Sequence, residues 1–169
     1  YSVTGGNGKH HTGDQVHHDG STLSAGGDVS LNALNTARIR GSNVNANDNI
    51  EVNALAGDVV IDTVQNTNSY TMRNGKKSSG DDYTLRNVGS ELTTDTGDVD
   101  LISTLGDVTL ETASIDSGND INIEATTGAV NIAVTKDRDY HQHTSNKSNM
   151  AWVSMRMRAM TMRPLSTLF

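Results

Sequence analysis

The sequence of 169 residues has no cysteine. That excludes a disulfide framework and any thiolate metal site. No run approaches the roughly 20 apolar residues of a membrane-spanning helix. Basic residues are scarce too: 13 Lys and Arg stand against 20 Asp and Glu, for a formal net charge of -7. All the acids lie before Met150, and the last twenty residues carry only Arg156, Arg158 and Arg163. An acidic body does not suit a nucleic-acid partner, which calls for clustered Lys and Arg. Nor is it drawn to an anionic membrane, so neither nucleic-acid binding nor membrane insertion is expected. No secretory signal pattern opens the chain. It starts at a tyrosine in mid-pattern, which reads as a segment of something longer. Leu, Ile, Val and Phe together number 34, close to the roughly 20% line below which chains tend to disorder. Periodicity decides between disorder and fold.

The stretch "TGDVDLISTLGDVTL", Thr96 to Leu110, contains the phrase Gly-Asp-Val-x-Leu twice, nine residues apart. Variants of it begin at Gly27, Asp48, Gly57, Asn119 and Gly128. Each is a turn followed by aliphatic-x-aliphatic. Glycine accepts positive φ without steric cost, and Asp or Asn can bond its own nearby backbone, so both fit a tight turn. The alternation puts the aliphatics on one face of a short strand. A further strand precedes many of these, around Leu23, Val44, Leu92 and Ile115. Leu23 to Val44 and Val29 to Ile50 are both 21 residues, and Val99 to Ile121 is 22. The unit is thus about 21 residues with roughly three short strands.

A longer period overlies this one. Tyr1, Tyr70 and Tyr140 are 69 and 70 apart, and Val44, Ile50, Val52, Val59 and Ile61 recur as Ile115, Ile121, Ile123, Val130 and Ile132 after 71 residues. The chain reads as two copies of about 70 residues, each with a polar opening and two rungs, and a third copy starting near 140. A strand-turn unit at this period is the mark of a solenoid. Strands nine residues apart cannot be parallel neighbours without a crossover, whereas winding makes the neighbour the equivalent strand one rung later. The expected fold is all-β, a right-handed parallel β-helix of ~21-residue rungs over residues 1-149.

Segments 1-20 and 65-89 break the pattern, rich in Asn, Gly, Ser, Lys and His. They read as hairpin-like excursions from the coil wall, the places where solenoids often bind. The tail 150-169 holds five of six methionines and the only Trp, Pro and Phe. It reads as an atypical Met- and Arg-rich tail, with three readings open: a real cap, a short helix, or a truncated or non-native end.

Three features invite chemistry. His10-His11 and His17-His18 are potential imidazole ligands, yet no carboxylate spacing accompanies them and the second copy has no histidine in its equivalent segment. Gly5-Gly6-Asn7-Gly8 starts like the calcium nonapeptide, but His10 stands where its Asp belongs. Asp28, Asp58, Asp98, Asp107 and Asp120 suggest a glycosidase-like carboxylate groove. An active site occurs once, whereas these recur at every turn. No nucleophile triad, phosphate loop or dinucleotide fingerprint has its strand-turn-helix context. No catalytic, cofactor-binding or metal-ligating residues are expected.

The runs "GSTLSAGGDVSLNA", "GSNVNANDNIEVNALAGDVVI" and "SIDSGNDINIEATTGAVNIAV" resemble the haemagglutinin repeats of filamentous haemagglutinin-like exoproteins, including contact-dependent inhibition effectors. The likeness covers about residues 1-149. "TSNKSNMAWVS" also looks like an excursion of that family, and the sequence departs from it at Arg156. The resemblance implies an extended β-helix on a Gram-negative cell surface or secreted from it. It implies export through an outer-membrane two-partner secretion transporter, and contact with host or neighbouring bacterial surfaces. It carries no catalytic residues. It leaves open an adhesive shaft or a region assisting toxin delivery in contact-dependent growth inhibition. A β-helical polysaccharide-active enzyme is the reading from another class, and it would need a single non-repeated charged cluster that the sequence lacks.

Overall fold

The computed structural model describes residues 2–5, 9–75, 77–147 and 150–158, and every element among them is a β-strand. In chain order, β1 (Ser2–Gly5) and β2 (Lys9–Val16) form a hairpin. Next come β3 (Thr22–Ala25), β4 (Val29–Ala33) and β5 (Ala37–Arg40) as a first rung, and β6 (Asn43–Ala46), β7 (Ile50–Ala54) and β8 (Val59–Asp62) as a second. A second hairpin is β9 (Val64–Asn74) and β10 (Ser78–Val88). The third rung is β11 (Glu91–Thr94), β12 (Val99–Ser103) and β13 (Val108–Glu111), and the fourth β14 (Ser114–Asp116), β15 (Ile121–Ala125) and β16 (Val130–Ala133). A third hairpin is β17 (Arg138–Lys147) and β18 (Met150–Arg158). The chain divides into two compact units: rungs (18–64 and 87–135) and hairpins (the rest).

In the rung unit the strands form three parallel sheets, ordered β14-β11-β6-β3, β15-β12-β7-β4 and β16-β13-β8-β5. The chain visits the three sheets in turn and returns to the first one strand further on. This supplies the crossover that parallel neighbours require, and it is compatible with a β-helix. The register stacks like on like: Leu23, Val44, Leu92 and Ile115 share a column, as do Val29, Ile50, Val99 and Ile121. Burial follows position in the stack. Ile50, Val52, Val59, Ile61, Leu92, Val99, Leu101 and Val108, in rungs two and three, are fully buried, while Ile121, Val130 and Ile132 in rung four are 48%, 43% and 72% exposed. A rung becomes core by having neighbours on both sides.

Two details of the turns differ from the sequence expectation. The glycine of the Gly-Asp phrase is not there for positive φ: among the described residues only Gly41, Gly75 and Thr112 have one. It is there because the adjacent rung's backbone lies against it. A Cβ on Gly97 would sit 2.5 Å from the Asp48 carbonyl carbon, and one on Gly106 2.5 Å from the Gly57 oxygen. In the first rung, a Cβ on Gly27 would meet nothing nearer than an Asp48 carboxylate oxygen at 4.0 Å. Nor do the aspartates bond their own turns, as the next subsection describes. The strand Ala37–Arg40 also escaped the sequence reading, because Asn35-Thr36 stands there in place of Gly-Asp.

The hairpin unit is one six-stranded antiparallel sheet, ordered β1-β2-β9-β10-β17-β18. The polar excursions are thus hairpins, and they pair with each other edge to edge: Gly13 faces Tyr70 across β2 and β9, and Tyr83 faces Tyr140 across β10 and β17. Of the atypical tail, Met150–Arg158 lies beside β17 as β18, and 159–169 fall outside the described residues.

Candidate functional surfaces

The turn aspartates form ladders between rungs. Asp28 Oδ1 accepts from the Asn49 backbone N–H at 2.9 Å, Asn49 Oδ1 from the Asp98 N–H at 2.9 Å, and Asp98 Oδ1 from the Asp120 N–H at 2.9 Å. A second ladder runs from Asp58 to the Asp107 N–H and from Asp107 to the Ala129 N–H. Each side chain satisfies a backbone donor at a corner where the sheet ladders are interrupted. Asparagine serves in the same place at Asn49, so the position requires an acceptor oxygen and not a titratable acid. That separates these residues from a catalytic carboxylate pair, which needs the acid.

The best-buried carboxylate is elsewhere. Asp62, 5% exposed, closes β8. Its Oδ2 pairs with Arg38 of β5, and Arg40 Nε lies 3.8 Å from Oδ1. The hydrogen bond and charge of Asp62 raise the Arg38 guanidinium above its ordinary pKa, with a smaller push from Glu111. A raised guanidinium stays protonated throughout the physiological range, so the arginine side of this pair does not titrate there. Ser90 adds a hydrogen bond to the Asp62 carbonyl at 2.9 Å. The cluster ties together three rungs at the corner where the chain leaves for the second hairpin.

The outer face of the middle sheet carries two shallow grooves. One, about 580 Å³, is bounded by Leu34, Leu55 and Ile102. Its neighbour, about 310 Å³, is lined by Asp28, Asn49, Glu51, Asp98 and Asp100.

The histidines are distributed rather than gathered. His10 and His11 are successive residues of β2, and successive strand residues point to opposite faces. His11 stacks on Tyr70, with ring centroids 5.7 Å apart, and hydrogen-bonds its hydroxyl. His17 and His18 follow the strand. His141 pairs with Asp82 at 2.9 Å. Among the described residues no group of three or more His, Cys, Asp or Glu is placed to hold a metal.

What the structure gathers, and the sequence order disperses, is charge. The rung unit contains 15 Asp and Glu and only two basic residues, Arg38 and Arg40. The hairpin unit contains 11 Lys and Arg against five acids. The sequence reading located its charge break at Met150 and missed this partition, because the hairpins come from three separated stretches.

The repeating structural copy is therefore two rungs and one hairpin, about 70 residues. The hemagglutinin repeat matches the chain twice, over residues 1–80 and 72–163. The chain belongs to the hemagglutinin-repeat family. The resemblance drawn from the sequence is thus borne out, and the match runs past residue 149 into the tail. The hemagglutinin repeat is a non-enzymatic structural type of secreted, surface-associated exoproteins, and it points to a structural and adhesive segment of a large exoprotein. No curated protein and no solved structure matches this chain.

Proposed function

We propose that this segment is part of an extended shaft in a large exported exoprotein, wound as a right-handed parallel β-helix, with its hairpins making contact with cell surfaces. The observation that carries this is the division of labour within each copy. The two rungs contribute a repeated apolar core and identical columns, whose output is length. The hairpin contributes most of the polar variation and most of the positive charge. Host and bacterial surfaces are predominantly anionic, so the hairpin unit is attracted where the acidic rungs are repelled. Export proceeds through an outer-membrane two-partner secretion transporter, and a chain without cysteine passes such a pore with no cross-link to undo.

The test is binding of the labelled protein to epithelial cells and to other Gram-negative bacteria, beside a variant lacking residues 63–88. That deletion joins Asp62 to Gly89-Ser90, the two-residue link already used at Gly41-Ser42 and Thr112-Ala113. Saturable binding lost with the hairpin supports the contact reading. Binding to bacteria alone moves the function to toxin delivery between cells, and binding to neither leaves a shaft whose role is length.

A further inference from the structure

Three stretches, 2–12, 71–80 and 143–152, contain no Asp or Glu in a chain that has 20. The basic residues at their described positions are Lys9, Arg73, Lys77 and Lys147. The hairpin sheet brings the described strand ends of these stretches to one place. Gly5 pairs with Lys9 at the first turn, and Lys9 pairs with Asn74 at the second. There the Lys77 N–H donates to the Asn74 carbonyl at 3.0 Å. Ser78 pairs with Ser145, and Lys147 with Met150 at the third turn. These strand ends therefore lie on the same edge of one sheet, one connected pair of ends for every two strands. With strands ~4.8 Å apart, the pairs recur every ~10 Å. Lys9, Arg73 and Lys77 are exposed. Of the unit's five carboxylates, Asp14, Asp81, Asp82 and Asp139 lie further along the strands and Asp137 just before β17.

We propose that this turn edge is a binding row for a linear carboxylated polysaccharide lying across the strand ends. The inference rests on the surface-contact reading above and names its partner. The row is a line, which fits a polymer chain better than the plane of a bilayer. It is made mostly of lysines, compact point charges that follow a series of carboxylates without the bidentate geometry an arginine imposes. Each contact is weak and screened by salt, but contacts spaced along one sheet add through effective concentration. The acidic rung unit repels the same polymer. Single-stranded nucleic acid is the other linear polyanion, but its binding rests on rows of aromatic rings. Apart from histidine, these stretches hold one, Trp152.

The experiment titrates the full chain with polyuronate oligomers at low and high salt, beside single-stranded DNA, anionic vesicles and a neutral glucan. Two variants carry the same change in net charge: K9E/K77E at the turn edge and K136E/R138E at the other end of the hairpins. K9Q/K77Q guards against a fold defect in the first. We expect polyuronate binding that weakens about tenfold or more with salt, falls about tenfold or more in K9E/K77E, falls in part in K9Q/K77Q, and changes less than about threefold in K136E/R138E. Equal losses in the two reversal variants, tighter binding to DNA or vesicles, or no polyuronate binding overturns the proposal. Failure here with hairpin-dependent cell binding intact removes this partner only. Loss of hairpin-dependent cell binding removes the contact reading beneath it.

Discussion

Rungs and hairpins are both built from short β-strands, yet they are held together differently. Every buried residue recorded among the described side chains belongs to the rung unit. Among its described side chains the hairpin sheet has none; Tyr70, Met72, Tyr83 and Tyr140 are half-buried, and its strands are joined by backbone ladders. Parallel rungs buy a continuous core through identical neighbours, so their sequence is constrained at each aliphatic column. Hairpins pair through main-chain groups, which leaves their side chains free to differ. That is why the copies agree closely in the rungs and diverge in the hairpins.

The largest break in this comparison is expected from the core. Leu101→Ala removes a fully buried side chain with rungs on both sides, at a cost of about 3–5 kcal/mol in chemical denaturation. Tyr83→Ala in the hairpin sheet is expected to cost clearly less, and equal losses would erase the distinction. Next is the glycine contrast. Gly97→Ala sets a methyl against the Asn49 side chain and the Asp48 backbone, the second of which cannot swing away as a side chain would, and is expected to cost about 1–3 kcal/mol. Gly27→Ala meets open space and stays within about 0.5 kcal/mol. If the two behave alike, close stacking is not the reason for the phrase.

Arg38→Met tests the corner at Asp62. It leaves a nearly buried carboxylate short of its main partner, at a cost of about 1–2 kcal/mol, moderated because Arg38 itself is half exposed. The sign with pH is fixed by the raised guanidinium: the pair loses nothing as pH rises from 6 to 9, so a wild-type and R38M difference that shrinks over that window contradicts the assignment. The smallest effect is in the aspartate ladder. Asp98→Ala gives up the acceptor for Asn119 and Asp120 and is expected to cost about 1 kcal/mol. Asp98→Asn keeps the oxygen and retains most of the stability. A larger loss in D98N than in D98A would mean the charge, and not the acceptor, is what the turn needs.

Much of the rung unit was legible beforehand. Val29, Ile50, Val99 and Ile121 announced their shared column by spacing alone, because stacked neighbours see the same environment and so keep the same residue type. The strand at Ala37–Arg40 was not legible, since its register comes from pairing with β8 and not from a turn phrase of its own. The role of the turn aspartates was half legible: that Asp28 and Asp98 sit at turns follows from residue type, but their partner is another rung's backbone. The candidate surface was the least legible. Lys9, Lys77 and Lys147 look like scattered loop charges until three hairpins pair edge to edge.

The sequence by itself determined the rung: its length, its three-strand pattern, the identity of the columns and the family to which they belong. Repetition makes that possible, since a pattern shown four times is its own evidence for a common environment. Tertiary structure alone decided what meets across long separations: which face of a turn glycine is pressed by a neighbour, where each aspartate finds its donor, and how three hairpins become one sheet with an acidic-free edge. Those contacts join residues about 20 to 70 positions apart through backbone hydrogen bonds, and backbone groups are the same for every residue, so nothing in the side chains had to record them.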